Sequence, residues 1–319
     1  MMLTLARDLW ANGVVGINMR NADYVLRYNR RKFYPLVDDK LRTKEIAEEV
    51  GINVPDLYGK IEFPHEVRNF PSIVANRTDF VVKPAQGSGG DGILVVVGRL
   101  GDHFRLAGGD IMSMDDMMFH LNNILAGTFS LGGQPDRALI EYRVDFDPVF
   151  EQIAFRGVPD VRIVVFLGVP VMAMVRLPTR MSRGKANLHQ GAIGAGVALP
   201  TGRTLTAVLR NAVVTEHPDT YNAVTGVEIP GWRALLDMAA RSYELTNLGY
   251  QGIDIVLDKA RGPLLLELNA RPGLNIQIAN REGLRHRLDH VAAEAGTLTS
   301  VADRVAFAVE NFAPKPVGA

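Results

Sequence analysis

The stretch YQGIDIVLDKARGPLLLELNARPG, residues 250–273, constrains the fold more tightly than any other part of the chain. Residues 251–257 and 264–270 are rich in Ile, Val and Leu, and a turn-prone DKARGP separates them, which predicts a β-hairpin with a medium-length loop. A loop centred between Ala260 and Arg261 sets Asp254 directly opposite Glu267. Asn269, two residues further along, then points to the same face. Like charges at opposed positions are destabilising, so two carboxylates among so many aliphatics call for a counter-charge. A hard divalent cation such as Mg²⁺ suits two carboxylates and an amide oxygen, with phosphate oxygens completing the shell. Arg271 follows as a fixed positive charge, and Pro272-Gly273 ends the strand. The plain alternative is a surface hairpin with its polar residues in solvent, since a one-residue slip would undo the pairing.

A second signal lies upstream in TDFVVKPAQGSGGDGILVVV. A strand carrying Lys83 runs into a loop of Gln86, Gly87, Ser88, Gly89 and Gly90, and a second strand starts from Gly92. Such a backbone is free to turn its N–H groups toward an anion. The lysine precedes the glycines, unlike the phosphate loop GxxxxGK followed by Ser or Thr. No helix follows, which argues against a dinucleotide-binding turn. Strand–loop–strand suggests a flap over phosphates with Lys83 beneath it, against the alternative of a floppy hairpin turn.

Elsewhere the expected elements are helices over residues 3–11, 113–126, 232–245, 274–280, 284–293 and 300–312, with a short strand over 14–18 and a frayed tail FAPKPVGA. NRRKFYP reads as a solvated connection or a basic lip. A helix starts at Asp38 or Asp39 as N-cap and ends at Gly51, which puts Lys40 in its first turn. RALIEYRV, residues 137–144, is a strand leading to an inter-domain crossing, and PDVRIVVFLGVPVMAMVRLPTR gives two strands joined tightly at Leu167-Gly168-Val169. Arg162, which alternates with Asp160, and Arg176 on the returning strand are costly to bury unpaired, so they serve a ligand or a structural ion pair. MSRGKANLHQGAIGAG is irregular and polar, with Lys185, Asn187 and His189. The expected sheet is mixed, with helices outside.

Composition narrows the class. Lys plus Arg equals Asp plus Glu at 35 each, so bulk charge points to neither nucleic acid nor membrane. With no cysteine, disulfides, thiolate metal sites and Cys nucleophiles are excluded, and a cytoplasmic location fits. The opening residues lack a long apolar run, so neither a signal peptide nor a membrane insertion is expected.

The blocks DDKLRTKEIAEEVGINVP, FVVKPAQGSGGDGI, DVRIVVFLG, NLHQGA, GIDIV and LLELNARPG occur in the order shown by the ATP-grasp superfamily, which this chain resembles. The closer likeness is to RimK-type α-L-glutamate ligases. That resemblance implies an α/β (α+β) fold of two lobes around an ATP cleft, with residues 38–141 as the small lobe and 142–315 as the metal and substrate lobe. Residues 1–37 would be a cut-down form of the domain that usually precedes. It implies that Lys40 and Lys83 contact ATP phosphates while the loop of Gln86, Gly87, Ser88, Gly89, Gly90 and Gly92 closes over them. Glu141, Tyr142, Arg143 and Val144 would hold adenine through the backbone, and Glu151 the ribose. Arg162 would reach the transferred phosphoryl group. Lys185, Asn187 and His189 would face phosphates and acceptor, and Arg271 a substrate carboxylate. Asp254, Glu267 and Asn269 would hold Mg²⁺, with room for a second ion and Mn²⁺ able to stand in. The implied reaction makes an acyl phosphate from a carboxylate and ATP, and an amine then attacks to give an amide. Its partners are an amino-acid donor and an amine or peptide acceptor, with a homo-oligomer or partner protein in place of the missing domain. The alternatives are a dipeptide ligase with other substrates and a non-catalytic nucleotide-binding module acting with a partner.

Overall fold

Strands this rich in Val, Ile and Leu must be covered on at least one face, and here they pair into two sheets, each antiparallel at every pairing. The computed structural model describes residues 2–87, 89–210 and 212–314. The expectation of a mixed sheet is therefore corrected: every neighbouring pair is antiparallel, and pairs such as β7–β8 and β12–β13 are joined by short turns, a connection only antiparallel neighbours allow.

The first sheet has the order β1-β6-β2-β3-β4-β5. Its strands are β1 (Leu57–Ile61), β2 (Phe80–Pro84), β3 (Leu94–Leu100), β4 (His103–Leu106), β5 (Ile111–Met112) and β6 (Ala138–Glu141). Phe70, Phe80 and Phe104 meet edge to face at its centre, with centroids 5.5–6.0 Å apart. Helix Met114–Leu125, capped by Ser113, buries Met117, Leu121 and Ile124, in the same core cluster as those rings.

The second sheet runs β11-β10-β9-β8-β7-β12-β13. It comprises β7 (Asp160–Phe166), β8 (Val169–Leu177), β9 (Ile193–Val197), β10 (Thr204–Leu209), β11 (Ala212–Val214), β12 (Tyr250–Asp258) and β13 (Gly262–Asn269). Helix Trp232–Thr246 lays Leu235, Leu236, Ala239 and Ala240 into its core. Among the described residues no helix is long and apolar enough to cross a membrane.

Helix Lys40–Glu49 joins the two halves. Its Asp39 N-cap accepts from the Leu41 and Arg42 amides. Ala47 lies in the core of the second sheet, while Leu41 packs with Ala85 and Leu139 of the first. Lys40 therefore stands where the halves meet. The preceding residues belong to the second half as well: Val15, Tyr24, Val25 and Val37 are in its core. Asn29 donates to the Tyr250 and Ala270 carbonyls and accepts from the Tyr250 amide.

Several local expectations are revised. Residues 14–18 form no strand: Val15 is satisfied at both backbone groups by the Gln277 side-chain amide, and a helix starts at Ile17. The strand after the glycine loop begins at Leu94 rather than Gly92. The stretch 181–196 is irregular only to Ala192, where β9 takes over, and β10 and β11 extend the sheet beyond any strand the sequence announced.

Candidate active site

The hairpin sets the centre of the site. Its loop is tighter than the spacing predicted. Asp258 pairs with Gly262, and Ile255 with Leu265, so the loop is centred on Ala260. The register then shifts between Asp254 and Ile255, leaving Leu266 as the extra residue of a bulge, and Asp254 pairs with Glu267 as expected. The bulge makes up for the shorter loop. On the other flank Asp254 pairs with Arg162 of β7, and Asp160, two residues back, pairs with Arg176 of β8. Glu267, Asp254, Arg162, Asp160 and Arg176 thus share one face of the sheet.

These charges are fastened to one another. Arg162 holds Asp254 in a fork, Nε to Oδ1 at 2.7 Å and Nη2 to Oδ2 at 2.6 Å. Arg176 donates to Asp254 Oδ2 at 2.7 Å and grips Asp160 with its Nε and Nη2. Burial opposes the charge on Asp254, but Arg162 and Arg176 outweigh it and hold the carboxyl down at about 2. Burial wins at Asp160, which is pushed up to about 6 with Asp254 adding repulsion. The Glu267 carboxylate makes no hydrogen bond or ion pair among the described residues and is half-buried. Asn269 turns its Oδ1 to the Arg271 amide at 2.8 Å.

No three His, Cys, Asp or Glu side chains among the described residues stand close enough to hold a metal. The set at the hairpin is two carboxylates and an amide, and it still fits a hard cation. Among the described residues Glu267 is unpaired, Asp254 Oδ1 accepts one donor and keeps a lone pair, and Asn269 Oδ1 likewise keeps one.

The second part of the site is the glycine loop. Lys83, on β2, is buried and ion-paired to Glu141 on β6, and Lys44 reaches the other Glu141 oxygen at 3.1 Å. Two ammonium groups face one carboxylate. Burial opposes the charge on Glu141, yet Lys83 and Lys44 hold its carboxyl below the usual range. Burial likewise pushes the Lys44 ammonium down, against the pull of Glu141. Lys44 was invisible in the sequence, where a lysine one turn after Lys40 reads as a solvated helix residue.

The loop is pinned at both ends. At its entry the Lys40 ammonium donates to the Gly87 carbonyl at 2.5 Å. The Gln86 amide donates to both oxygens of buried Asp136 at 3.0 Å, and Gly87 bridges to Ser130. At its exit His120 Nε2 meets the Gly92 carbonyl at 2.9 Å. Ser88 lies outside the described residues. The tip reaches the other half of the molecule: Lys185 Nζ is 3.4 Å from Asp91 Oδ1, and Asn187 and Gln190 each donate to the Gly89 carbonyl at 3.5 Å. A cavity of about 430 Å³ opens there, lined by Gly90, Gly92, Phe129, Ser130 and Lys185 among others.

The remaining expected residues are placed as follows. Glu141 turns its side chain inward to the lysines. The Tyr142 amide is already bonded to the Asp56 carbonyl, and its hydroxyl donates to Asp258. Arg143 pairs with Asp79 at 2.9 Å, and Val144 is buried. Glu151 is exposed and lies within electrostatic range of Lys259, at the loop end of the hairpin. His189 is exposed, with its amide bonded to Asn187. Arg271 lies over the Tyr34 ring at 4.7 Å. The Arg162 guanidinium is engaged by Asp254.

Solved structures align with much of this chain. The ATP-grasp ligase PsnB, complexed with a minimal precursor, is 15% identical with a TM-score of 0.47, covering 84% of this chain and 63% of PsnB. This chain therefore spans less than two thirds of PsnB's length. D-alanine–D-alanine ligase from Bacillus anthracis is 14% identical, TM-score 0.42, covering 87% and 68%. D-cycloserine synthetase DcsG is 14% identical, TM-score 0.43, covering 83% and 72%. No curated protein matches the sequence. A family model does, over residues 19–293, a span that takes in the glycine loop, both arginine strands and the hairpin: the chain belongs to the sugar-transfer associated ATP-grasp family.

Proposed function

We propose that this protein is an ADP-forming carboxylate–amine ligase, and that the cleft between the two sheets takes Mg²⁺–ATP. The observation that carries the reading is the meeting of the glycine loop with Lys185, Asn187 and Gln190 across that cleft, within a chain of ATP-grasp family. PsnB is also known in complex with Mg and ADP, and the Bacillus anthracis ligase with ATP.

Mg²⁺–ATP supplies a transferable phosphoryl group whose charge the cation offsets. Lys40 and Lys83 bind its phosphates, with Lys44 providing the second ammonium beside Glu141. The loop of Gln86 to Gly92 closes over them and excludes water. Asp254, Glu267 and Asn269 hold the cation, Arg162 and Lys185 meet the charge of the transferred group, and Arg271 orients the donor carboxylate. In the reaction a carboxylate oxygen attacks the γ-phosphorus and ADP leaves. The amine then attacks the acyl carbon, losing a proton as phosphate departs. The chain's own part is positioning and charge, so it needs no side-chain nucleophile.

The finer reading is the glutamate-ligase branch suggested by the ordered set of sequence blocks from DDKLRTKEIAEEVGINVP to LLELNARPG, with glutamate or another amino acid as donor and a peptide or small amine as acceptor. The family's association with sugar transfer adds amino- and carboxy-sugars to the candidates. ADP release from Mg²⁺–ATP with paired donor and acceptor panels, read with mass spectrometry of the products, is the test. ADP formation dependent on both partners, with an amide product, supports the ligase. No stimulation by any carboxylate would overturn it in favour of a nucleotide-binding module.

A further inference from the structure

Three carboxylates and two guanidiniums share the charged face of the second sheet, and they are not equally fastened. Arg176 has two partners. It grips Asp160 with two nitrogens and touches Asp254 with one. Among the described residues Arg162 has one partner, Asp254, which it holds through two nitrogens. If Asp254 gave up its guanidiniums, Arg176 would keep its salt bridge and Arg162 would keep nothing. An Arg side chain only 12% exposed cannot remain there unpaired without cost. Nor can Glu267, across the hairpin, be neutralised by either arginine while both are turned to the aspartates.

We propose that Asp254 is a shared ligand that exchanges Arg162 for a divalent cation, so that Arg162 becomes available to an anion only when the cation site fills. Asp160 and Arg176 are positioning residues in this scheme, keeping the Asp254 carboxylate aimed along the sheet while Arg162 leaves it. The inference rests on the reading of Asp254, Glu267 and Asn269 as cation ligands. It adds that Arg162 competes with the cation for the same oxygens. Such an exchange couples cation and phosphate binding, and it keeps an attractive anion site closed to phosphate that arrives without its metal.

Competition has a sign that a purely structural ion pair does not. Binding of Mn²⁺ alone to the purified full chain, followed through loss of the free-ion electron paramagnetic resonance signal, reads it without nucleotide or turnover. Glu267→Gln should weaken Mn²⁺ binding by about tenfold, and Arg162→Gln should tighten it by about tenfold because the competitor is gone. Thermal melts establish that each variant is folded. Should Arg162→Gln fail to fold, Arg162→Lys keeps a charge but loses the fork, and tightening of about threefold is expected. If Glu267→Gln binds Mn²⁺ like wild type, the cation-site reading itself fails. If Glu267→Gln weakens binding while the Arg162 variant binds equally or more weakly, the cation site stands and the exchange is wrong.

Discussion

The hairpin face and the glycine loop are the two halves of the candidate site, and they are held by opposite means. At the hairpin, charged side chains on neighbouring strands hold each other, at distances of 2.5–2.7 Å between nitrogen and oxygen. At the loop, side chains from elsewhere hold backbone groups: Lys40 and His120 on carbonyls, Asp136 on an amide. A face held by mutual charge on a buried sheet keeps its geometry until one charge is removed. A loop fastened at its ends, and touched at its tip only by contacts of 3.4–3.5 Å from Lys185, Asn187 and Gln190, keeps its roots and leaves its tip the more weakly held part. The first arrangement suits metal and phosphoryl chemistry, where an error of an ångström is expensive. The second suits a cover that must open.

The comparison breaks most easily at Asp254. Asp254→Ala leaves Arg162 without a partner and Arg176 with one fewer, among side chains no more than 12% exposed. We expect a loss of about 3–5 kcal/mol, the usual cost of orphaning one member of a buried pair. Urea denaturation checks it. A loss no larger than that of the loop substitutions below would mean that the hairpin face is no more tightly held than the loop.

How far each half could be read beforehand follows from the same contrast. The Asp254–Glu267 pairing was legible because strand alternation and turn composition are local signals, and charged residues stand out in an apolar run. Even so, the loop centre was misplaced by half a residue, and the pairing survived through a bulge at Leu266 that nothing in the sequence marks. Lys83 and the glycines were legible for the same local reason. Lys44, Asp136 and His120 were not, since each acts on a residue 28 to 97 positions away. An isolated Asp in QPDR or His in a Met-rich helix carries no sign of its partner. The second sheet's extra strands were missed because β10 and β11, interrupted by Arg210 and Asn211 and partly exposed, lack a buried strand's continuous apolar run.

Two glycines of the loop separate root from tip. Gly92 has φ +75°, and a Cβ there would stand 2.6 Å from the Phe129 ring. Gly89 has φ +67° and nothing within 4 Å of such an atom. Gly92→Ala should cost about 3 kcal/mol from strain and overpacking together, whereas Gly89→Ala should cost about 1 kcal/mol from backbone strain alone. Thermal melts of the two variants side by side give the difference. Equal losses would mean that the loop is uniformly packed and that its tip is not the free part.

Asp136 tests the entry of the loop. Its carboxylate takes the Gln86 amide on both oxygens and the Arg137 amide at 2.7 Å, and it is buried. Asp136→Asn keeps the shape but loses the charge and one acceptor, so a loss of about 1–2 kcal/mol is expected. Limited proteolysis should also cut faster within residues 86–92. A stability loss with unchanged cutting would show that Asp136 supports the fold without holding the loop.

The exit of the loop offers the smallest effect and the most specific one. His120 is partly buried, and desolvation lowers its pKa from the ordinary 6.5, although the contact with the Gly92 carbonyl pulls the other way. The folded protein therefore prefers the neutral ring. Its contribution is fully present above pH 6.5 and is lost as pH falls through the lower folded-state value. His120→Gln retains an N–H donor for the carbonyl and should cost no more than about 1 kcal/mol at pH 7. It cannot gain a proton, however, so its stability should fall less between pH 7 and pH 5.5 than that of the wild type. Carboxylates that titrate in the same range are common to both proteins and cancel in the difference. Urea midpoints at half-unit pH steps, with the two curves converging toward the acid end, would locate the loop's exit at a neutral histidine. Parallel curves would assign the Gly92 end of the loop to packing against Phe129 instead, and the two ends would then be held by different physics.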